Sequence, residues 1–148
     1  RLSEYRDSDE AVRIKLLQLQ YINASRAKSR LQPLGLDILA SRVANMQSRE
    51  AAANRFSGHW NMRGEKPYHR YAFAGGVDHV MENAAAYSSS GTISPGGELD
   101  LMRQLHDMFM AERPPADGHR QNVLGNIIPM WESDSLLSAG SSGTTRNT

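Results

Sequence analysis

Residues 57–83 read SGHWNMRGEKPYHRYAFAGGVDHVMEN, a segment in which aromatic rings, histidines and glycines follow one another without a regular period. Neither helical nor strand periodicity runs through residues 56–76, so we predict a loop with short turns there. Residues 80–87 are compatible with a short helix or a strand. The segment therefore predicts little regular structure between the helices on either side of it.

Two helices are predicted before this segment. The first starts with Asp7 and Glu10, which are spaced as a capping box. Its core-facing side is expected to carry side chains spaced three or four apart, namely Val12, Leu16, Leu19, Asn23 and Ala27. The second helix is predicted to begin at Asp37 and to end near Arg55. Its apolar face is expected to consist of Leu39, Val43 and Met46, with Ala40 and Ala44 beside them.

Two further helices are predicted after it, beyond a loop of Ser, Gly and Pro at residues 88–97. The first of them covers residues 99–112, and one of its faces carries Leu105, Phe109 and Glu112. The second is short and carries His119. Its N-cap is expected to be Asp117, and Gly125 is expected to end it.

The composition restricts the classes of protein to consider. A chain of 148 residues, with 39% hydrophobic and 22% charged residues, predicts one globular domain. Its net charge of +1 arises from interspersed charges, so we expect no nucleic-acid partner. No apolar run approaches the roughly 20 residues of a transmembrane segment. The chain has no cysteine, which excludes disulfides, zinc–thiolate sites and cysteine nucleophiles.

Three groups of short motifs, in a fixed order along the chain, resemble the CAP superfamily (SCP/PR-1-like), in particular a cysteine-free prokaryotic branch. The central group comprises Ser57-Gly58-His59-Trp60, Gly64, Lys66-Pro67-Tyr68, Arg70-Tyr71, Ala74-Gly75-Gly76 and Glu82-Asn83. The flanking groups are Ile22-Asn23, Arg26, Pro33-Leu34 and Leu39-Ala40 upstream, and Gly118-His119-Arg120 and Asn122-Val123-Leu124 downstream. Gly58 departs from the family pattern, in which Ser and His are often adjacent. The resemblance implies an α+β fold, the α-β-α sandwich of that family, over residues 8–125, in an extracellular or cell-envelope protein.

The resemblance also implies a cleft that holds two histidines and two acidic residues. His59 and His119 would bind zinc or another divalent cation, and Glu82 and Glu112 would be candidate catalytic acids. The cleft is expected to be supported by His69, Arg70, Tyr71 and Asn83. The remaining histidines, His79 and His106, are expected on the surface.

Elementary chemistry supports part of this set. Glu112 falls on an apolar helix face, and burying an unpaired carboxylate costs several kcal/mol, so it requires a His, an Arg or a metal ion as partner. His119 lies near a helix N-terminus, where the dipole disfavours the imidazolium by about 0.3–1 kcal/mol. A neutral imidazole can bind a metal ion, and two of them with carboxylates suit zinc. The same four side chains could equally form a hydrogen-bonded network that only stabilises the fold.

Three functions remain open from the sequence. The first, which we favour, is a secreted binding module whose cleft holds a cation and whose surface binds a lipid, a sterol or another envelope component. The second is a zinc-dependent hydrolase in which Glu82 or Glu112 acts as general base. The third is a structural domain without activity.

Residues 126–148 do not continue the family pattern, which would supply further strands. They are mostly Ser, Gly and Thr after Trp131, with neither strand nor helix periodicity. When the codons are read two bases out of frame, Met130-Trp131 must give valine and Trp131-Glu132 must give glycine. Permitted codon choices extend this to the Val-Gly-Ile-Gly run that the resemblance implies. We therefore expect a frameshift near Gly125, an incomplete sheet and a disordered tail.

Overall fold

The computed structural model describes residues 1–86, 96–125 and 128–129. Its helices are a 3-10 helix at Leu2–Tyr5, α1 at Asp9–Lys28, α2 at Ile38–Asn54, α3 at Pro67–Phe73, α4 at Gly97–Ala111 and α5 at Gly118–Leu124. Two short strands, β1 at Val80–Met81 and β2 at Ile128–Pro129, pair in parallel, with Val80 opposite Ile128. The described chain is therefore built mainly from helices.

The α-β-α sandwich expected from the resemblance is wrong for the described chain. A sandwich needs a central sheet whose strands are long enough to alternate buried and exposed side chains. In residues 1–86, 96–125 and 128–129, only two strands of two residues each are paired. Apolar surface is buried instead where helices pack on one another. The expected frameshifted tail lies almost entirely outside the described residues, and so does most of the Ser- and Gly-rich loop.

Helix α1 buries a different face from the predicted one. Its buried side chains are Lys15, Gln18, Ile22 and Arg26, one position away from the predicted stripe. Leu16, expected in the core, has 45% of its surface exposed. The difference has a physical cause, because Lys15 and Arg26 find hydrogen-bond partners inside the protein. The spacing of apolar residues cannot predict such partners.

The starts of the other helices combine confirmed and wrong predictions. Helix α2 begins as predicted, since the Asp37 carboxylate accepts a hydrogen bond of 2.6 Å from the Ala40 backbone N–H. Helix α3 was predicted as loop. It begins with Pro67, whose fixed φ suits the first helical position, but it is too short to show an apolar period.

Two buried clusters connect these elements. Ala40 and Val43 of α2 pack with Tyr71 of α3 and Val80 of β1. Ile22 of α1 packs with Val123 of α5. Gly76 is required at its position, because a Cβ atom there would lie 2.2 Å from the Tyr71 ring. None of the helices in the described part of the chain has the length and apolar character needed to cross a bilayer.

A buried polar network anchors the N-terminal segment on α1 and α2. The Lys15 ammonium donates hydrogen bonds to Asp7 Oδ1 at 2.6 Å, Ser41 Oγ at 2.5 Å and Asn45 Oδ1 at 2.8 Å. Asn45 Nδ2 in turn donates to the carbonyl oxygen of Tyr5 at 2.7 Å. Asp7, predicted as a helix cap, serves instead as the partner of Lys15, and Ser8 caps α1.

The Asp7 carboxylate makes stability depend on pH. Burial raises its pKa, but hydrogen bonds from Lys15, Ser41 and Asn45 bring the pKa below its ordinary value of 3.8. A group whose pKa is lower in the folded state stabilises the protein above the unfolded-state pKa. That stabilisation is lost as the pH falls below 3.8 and through the folded-state pKa.

We expect Asp7→Asn to reduce the free energy of unfolding by about 3 kcal/mol at neutral pH, because it removes the charged partner of a buried ammonium. The variant should also lose less stability than the wild type when the pH falls below the carboxyl range. Urea unfolding at a series of pH values measures both effects. Asp9→Asn, at an exposed position of α1, is the matched control. Equal loss in the two variants would contradict the role of the buried pair.

Candidate functional site

A cleft of about 730 Å³ brings together all four acidic and histidine side chains selected from the sequence. His59, Glu82, Glu112 and His119 all line it. They come from the loop after α2, from the end of β1, and from the two sides of the turn between α4 and α5. The described fold thus places residues from distant stretches of chain in one solvent-accessible cleft.

The first histidine is paired with a buried carboxylate. His59 Nδ1 lies 2.9 Å from Glu82 Oε1, and the Glu82 side chain is fully buried while that of His59 is 45% exposed. An ionised carboxylate can only accept hydrogen bonds, so the chemistry assigns the proton to Nδ1. In the neutral ring, Nε2 is then the nitrogen with a lone pair available to a ligand.

Arg70 stabilises this His59–Glu82 pair by hydrogen bonds. Its guanidinium is fully buried and donates to the second oxygen of Glu82. It also donates to the backbone carbonyl oxygens of His59 at 2.8 Å and Glu65 at 3.1 Å. Arg70 therefore neutralises a buried charge and fixes the backbone that carries His59.

The second histidine is paired with Glu112. His119 Nδ1 lies 2.5 Å from Glu112 Oε1, and its ring stacks on Phe109 with the ring centroids 4.5 Å apart. Glu112 Oε2 accepts hydrogen bonds from the backbone N–H groups of His119 at 3.0 Å and Arg120 at 3.2 Å. Glu112 thus satisfies the first turn of α5. The predicted N-cap, Asp117, makes no side-chain capping bond.

The environment of Glu112 keeps it ionised at neutral pH. Burial raises its pKa, but the hydrogen bonds from the His119 ring and from the backbone of Arg120 and His119 outweigh burial. The resulting pKa lies below the ordinary value of 4.5. An ionised Glu112 assigns the ring proton of His119 to Nδ1, as for His59, and again leaves Nε2 for a ligand.

Two asparagines connect the two histidine–carboxylate pairs. Asn83 Nδ2 donates to the carbonyl oxygen of His119 at 3.0 Å. Asn122 Nδ2 donates to Asn83 Oδ1 at 2.7 Å and to the carbonyl oxygen of Glu82 at 3.4 Å. These bonds tie β1 to α5. Asn83 was expected to support the cleft, whereas Asn122 was noted only as part of a motif.

The other selected residues lie away from the cleft chemistry. Tyr71 belongs to the core cluster with α2. His69 accepts a hydrogen bond from the Lys66 backbone N–H at 3.2 Å and lies against the Tyr68 ring, outside the residues that line the cleft.

His79 is exposed, as expected. His106 is only 4% exposed, so its predicted surface position is wrong, because α4 packs on α1 at that point. Burial lowers the pKa of His106.

The aromatic rim of the cleft was missed from the sequence. Trp60, Lys66 and Tyr68 line the cleft, and the Lys66 ammonium lies 4.9 Å from the centre of the Trp60 ring. The signal was present as the density of aromatic residues in the segment 57–83. Without a helical or strand period, however, nothing in that segment indicated which rings are buried and which are exposed.

The described residues do not bring together a complete set of side-chain ligands for a metal ion. Within the described residues, no three His, Asp or Glu side chains are grouped so that all could ligate one ion. His59 and His119 each have Nδ1 paired with a carboxylate, an arrangement that is also usual for metal-binding histidines, and the pairing leaves Nε2 of each ring available. No family model, curated protein or solved structure matches the chain.

Proposed function

We propose that this chain is an exported binding module, related to the CAP superfamily, whose cleft holds a divalent cation, zinc above all, and binds an extracellular ligand beside it. The observation that carries the proposal is the pairing of each cleft imidazole with a carboxylate at Nδ1, which leaves two Nε2 atoms for a cation. The ordered motifs from Ile22-Asn23 to Asn122-Val123-Leu124 support the relationship and the extracellular location.

The hydrogen bonds that both carboxylates already accept favour a ligand-binding function over zinc-dependent hydrolysis. A general base must reach the water or substrate proton that it abstracts. Glu82 accepts hydrogen bonds from His59 and Arg70 with its two oxygens, and its side chain is fully buried. Glu112 accepts from the His119 ring and from two backbone N–H groups. Both carboxylates therefore act as orienting groups for the histidines.

The exposure of the histidines favours a binding role over a purely structural network. The His59 side chain is 45% exposed and that of His119 is 35% exposed, although their carboxylate partners are more deeply buried. A network that only stabilised the fold would gain most from burial of all its members, because hydrogen bonds are stronger in a low-dielectric interior. Here each pair presents its imidazole to the solvent in the cleft.

Zinc titration by isothermal calorimetry tests the proposed function. We expect the wild type to bind about one equivalent of zinc, and the double variant His59→Ala/His119→Ala to lose this binding. Glu112→Gln should weaken binding about 10–100-fold, since it removes the group that orients His119. Affinity should fall at acidic pH, because zinc competes with protons for the imidazoles.

The matched control is His79→Ala, which removes an exposed histidine from outside the cleft and should leave zinc affinity unchanged. Thermal unfolding followed by circular dichroism shows whether each variant is folded. Equal, weak zinc binding by the wild type and the folded double variant would exclude the cation site.

A further inference from the structure

The rim of the cleft carries two unusually exposed aromatic rings. Trp60 has 55% of its surface exposed and Tyr68 has 48%, and both line the cleft. The Lys66 ammonium, 4.9 Å from the centre of the Trp60 ring, helps to hold that ring in place by a cation–π contact. Aromatic side chains normally contribute stability by burial, so two such exposed rings at the mouth of a cleft indicate a surface for ligand contact.

The polar side chains of the cleft restrict the chemistry of that ligand. Alongside the aromatic rings, Glu82, Glu112, His59, His119 and Asn122 all contribute to its lining. Most of the accessible surface of the lining is apolar, and these side chains supply its polar part. A lipid tail or a sterol ring system would cover the polar part without offering hydrogen bonds in return, which is unfavourable. A ligand that fits must present an apolar face to the aromatic rings and hydroxyl groups to the polar lining.

We propose that the cleft binds an uncharged glycan, with pyranose rings stacked on Trp60 and Tyr68. A pyranose has a face of C–H groups that packs on an aromatic ring, and its hydroxyls both donate and accept hydrogen bonds. Glu112 Oε1, which accepts one hydrogen bond from the His119 ring, can accept another from a ligand hydroxyl, and the Asn122 amide contributes further polar contacts. This inference rests on the proposed function, because it names the ligand class of the same cleft.

The size of the cleft agrees with this ligand class. At about 730 Å³ it falls within the range of about 300–1,000 Å³ that is typical of small-molecule sites. The charges of the lining offset one another, since Glu82 is paired with Arg70, and the Glu112 carboxylate, whose partner His119 is neutral, is matched in sign by the Lys66 ammonium. The net charge of the cleft is therefore close to zero, which does not favour a strongly ionic ligand over an uncharged one.

Fluorescence titration of the whole chain tests the proposal with cellohexaose and chitohexaose as probes. The chain contains two tryptophans, Trp60 and Trp131, so a Trp131→Phe background makes Trp60 the only tryptophan reporter. We expect a saturable change in Trp60 emission with at least one of the two oligosaccharides. Calorimetry should show that Trp60→Ala and Tyr68→Ala each weaken the binding by about tenfold or more.

The matched control is Phe73→Ala, which removes a 76% exposed aromatic ring at the end of α3 from outside the cleft lining. It should leave oligosaccharide affinity unchanged, and an equal loss in this variant would overturn the proposal. Absence of binding to both oligosaccharides at millimolar concentration would also overturn it. So would Trp60-dependent binding to phosphatidylcholine vesicles without oligosaccharide binding, which would identify a lipid ligand.

Zinc calorimetry on the same variants separates this proposal from the proposed cation site. Trp60→Ala should keep the zinc affinity of the wild type, because Trp60 supplies no ligand atom. Zinc binding without oligosaccharide binding leaves the cation site standing and removes the glycan. Rim-dependent oligosaccharide binding without zinc binding supports the glycan and removes the cation site.

Discussion

Arg70→Leu should lower the free energy of unfolding by about 3–5 kcal/mol and abolish zinc binding by whatever protein remains folded. The substitution leaves the Glu82 carboxylate fully buried without its guanidinium partner. It also leaves the carbonyl oxygens of His59 and Glu65 without their buried donor. Chemical denaturation measures the stability change, and calorimetry measures zinc binding.

Two further variants separate the contribution of Arg70 to stability from its contribution to the site. Arg63→Leu removes an exposed arginine paired with Glu65 and should change stability by about 1 kcal/mol at most. Arg70→Met/Glu82→Leu replaces both members of the buried pair and should recover much of the stability, because no buried charge is left unpaired. The double variant should still bind zinc poorly, since His59 has lost its orienting carboxylate. If Arg70→Leu proved as stable as Arg63→Leu, the buried pair would not have the role described above.

Arg26→Met should lower the free energy of unfolding by about 3 kcal/mol or more, and it should weaken zinc binding from a distance. The buried Arg26 guanidinium donates to the carbonyl oxygens of Gln32 at 2.8 Å, Val123 at 2.9 Å and Gly125 at 2.5 Å. Charged hydrogen bonds of this kind contribute about 1.5–3 kcal/mol each, and their loss leaves buried acceptors unsatisfied.

The effect on zinc binding follows from the position of these carbonyl groups. Val123 and Gly125 lie at the end of α5, the helix that carries His119. Losing their donor should loosen α5 and so reduce the precision with which His119 is placed. Lys28→Met, an exposed change on the same helix, is the control and should affect neither property. A fully stable Arg26→Met variant with normal zinc affinity would contradict the anchoring of α5 by this side chain.

The start of α2 could be predicted from the sequence, whereas the cap of α1, the start of α3 and the buried face of α1 could not. Asp37 marks the start of α2 because N-capping is a local interaction between neighbouring residues. The α1 face was misplaced by one position because Lys15 and Arg26 are buried by partners far away in sequence. Hydrophobic periodicity predicts that such residues are exposed, so it cannot identify buried ionic networks.

The sandwich prediction failed for a different reason. It was inferred from a likeness of short motifs, and those motifs describe loops and helix ends more than strands. In the described residues, the Val80–Met81 segment forms only a two-residue strand. Strand pairing depends on distant partners, which short local motifs do not specify.

The identity of the residues in the candidate site could be predicted better than the role of each residue. The four side chains chosen from the sequence do line one cleft. Their division into exposed histidines and buried orienting carboxylates depends on Arg70 and on the backbone N–H groups of α5. Such contacts, between a side chain and the backbone of another segment, have no signature in the sequence.

We propose above all that His59 and His119 offer their Nε2 atoms to a single ligand in one cleft. Nitrogen NMR of the imidazole rings, recorded during zinc titration of the whole chain, tests it most directly. Before zinc is added, both rings should show the tautomer protonated at Nδ1. The Nε2 resonances of both should then shift together and saturate at one equivalent, while those of His79 stay unchanged. A response from only one of the two rings, or rings protonated at Nε2 throughout, would contradict the account.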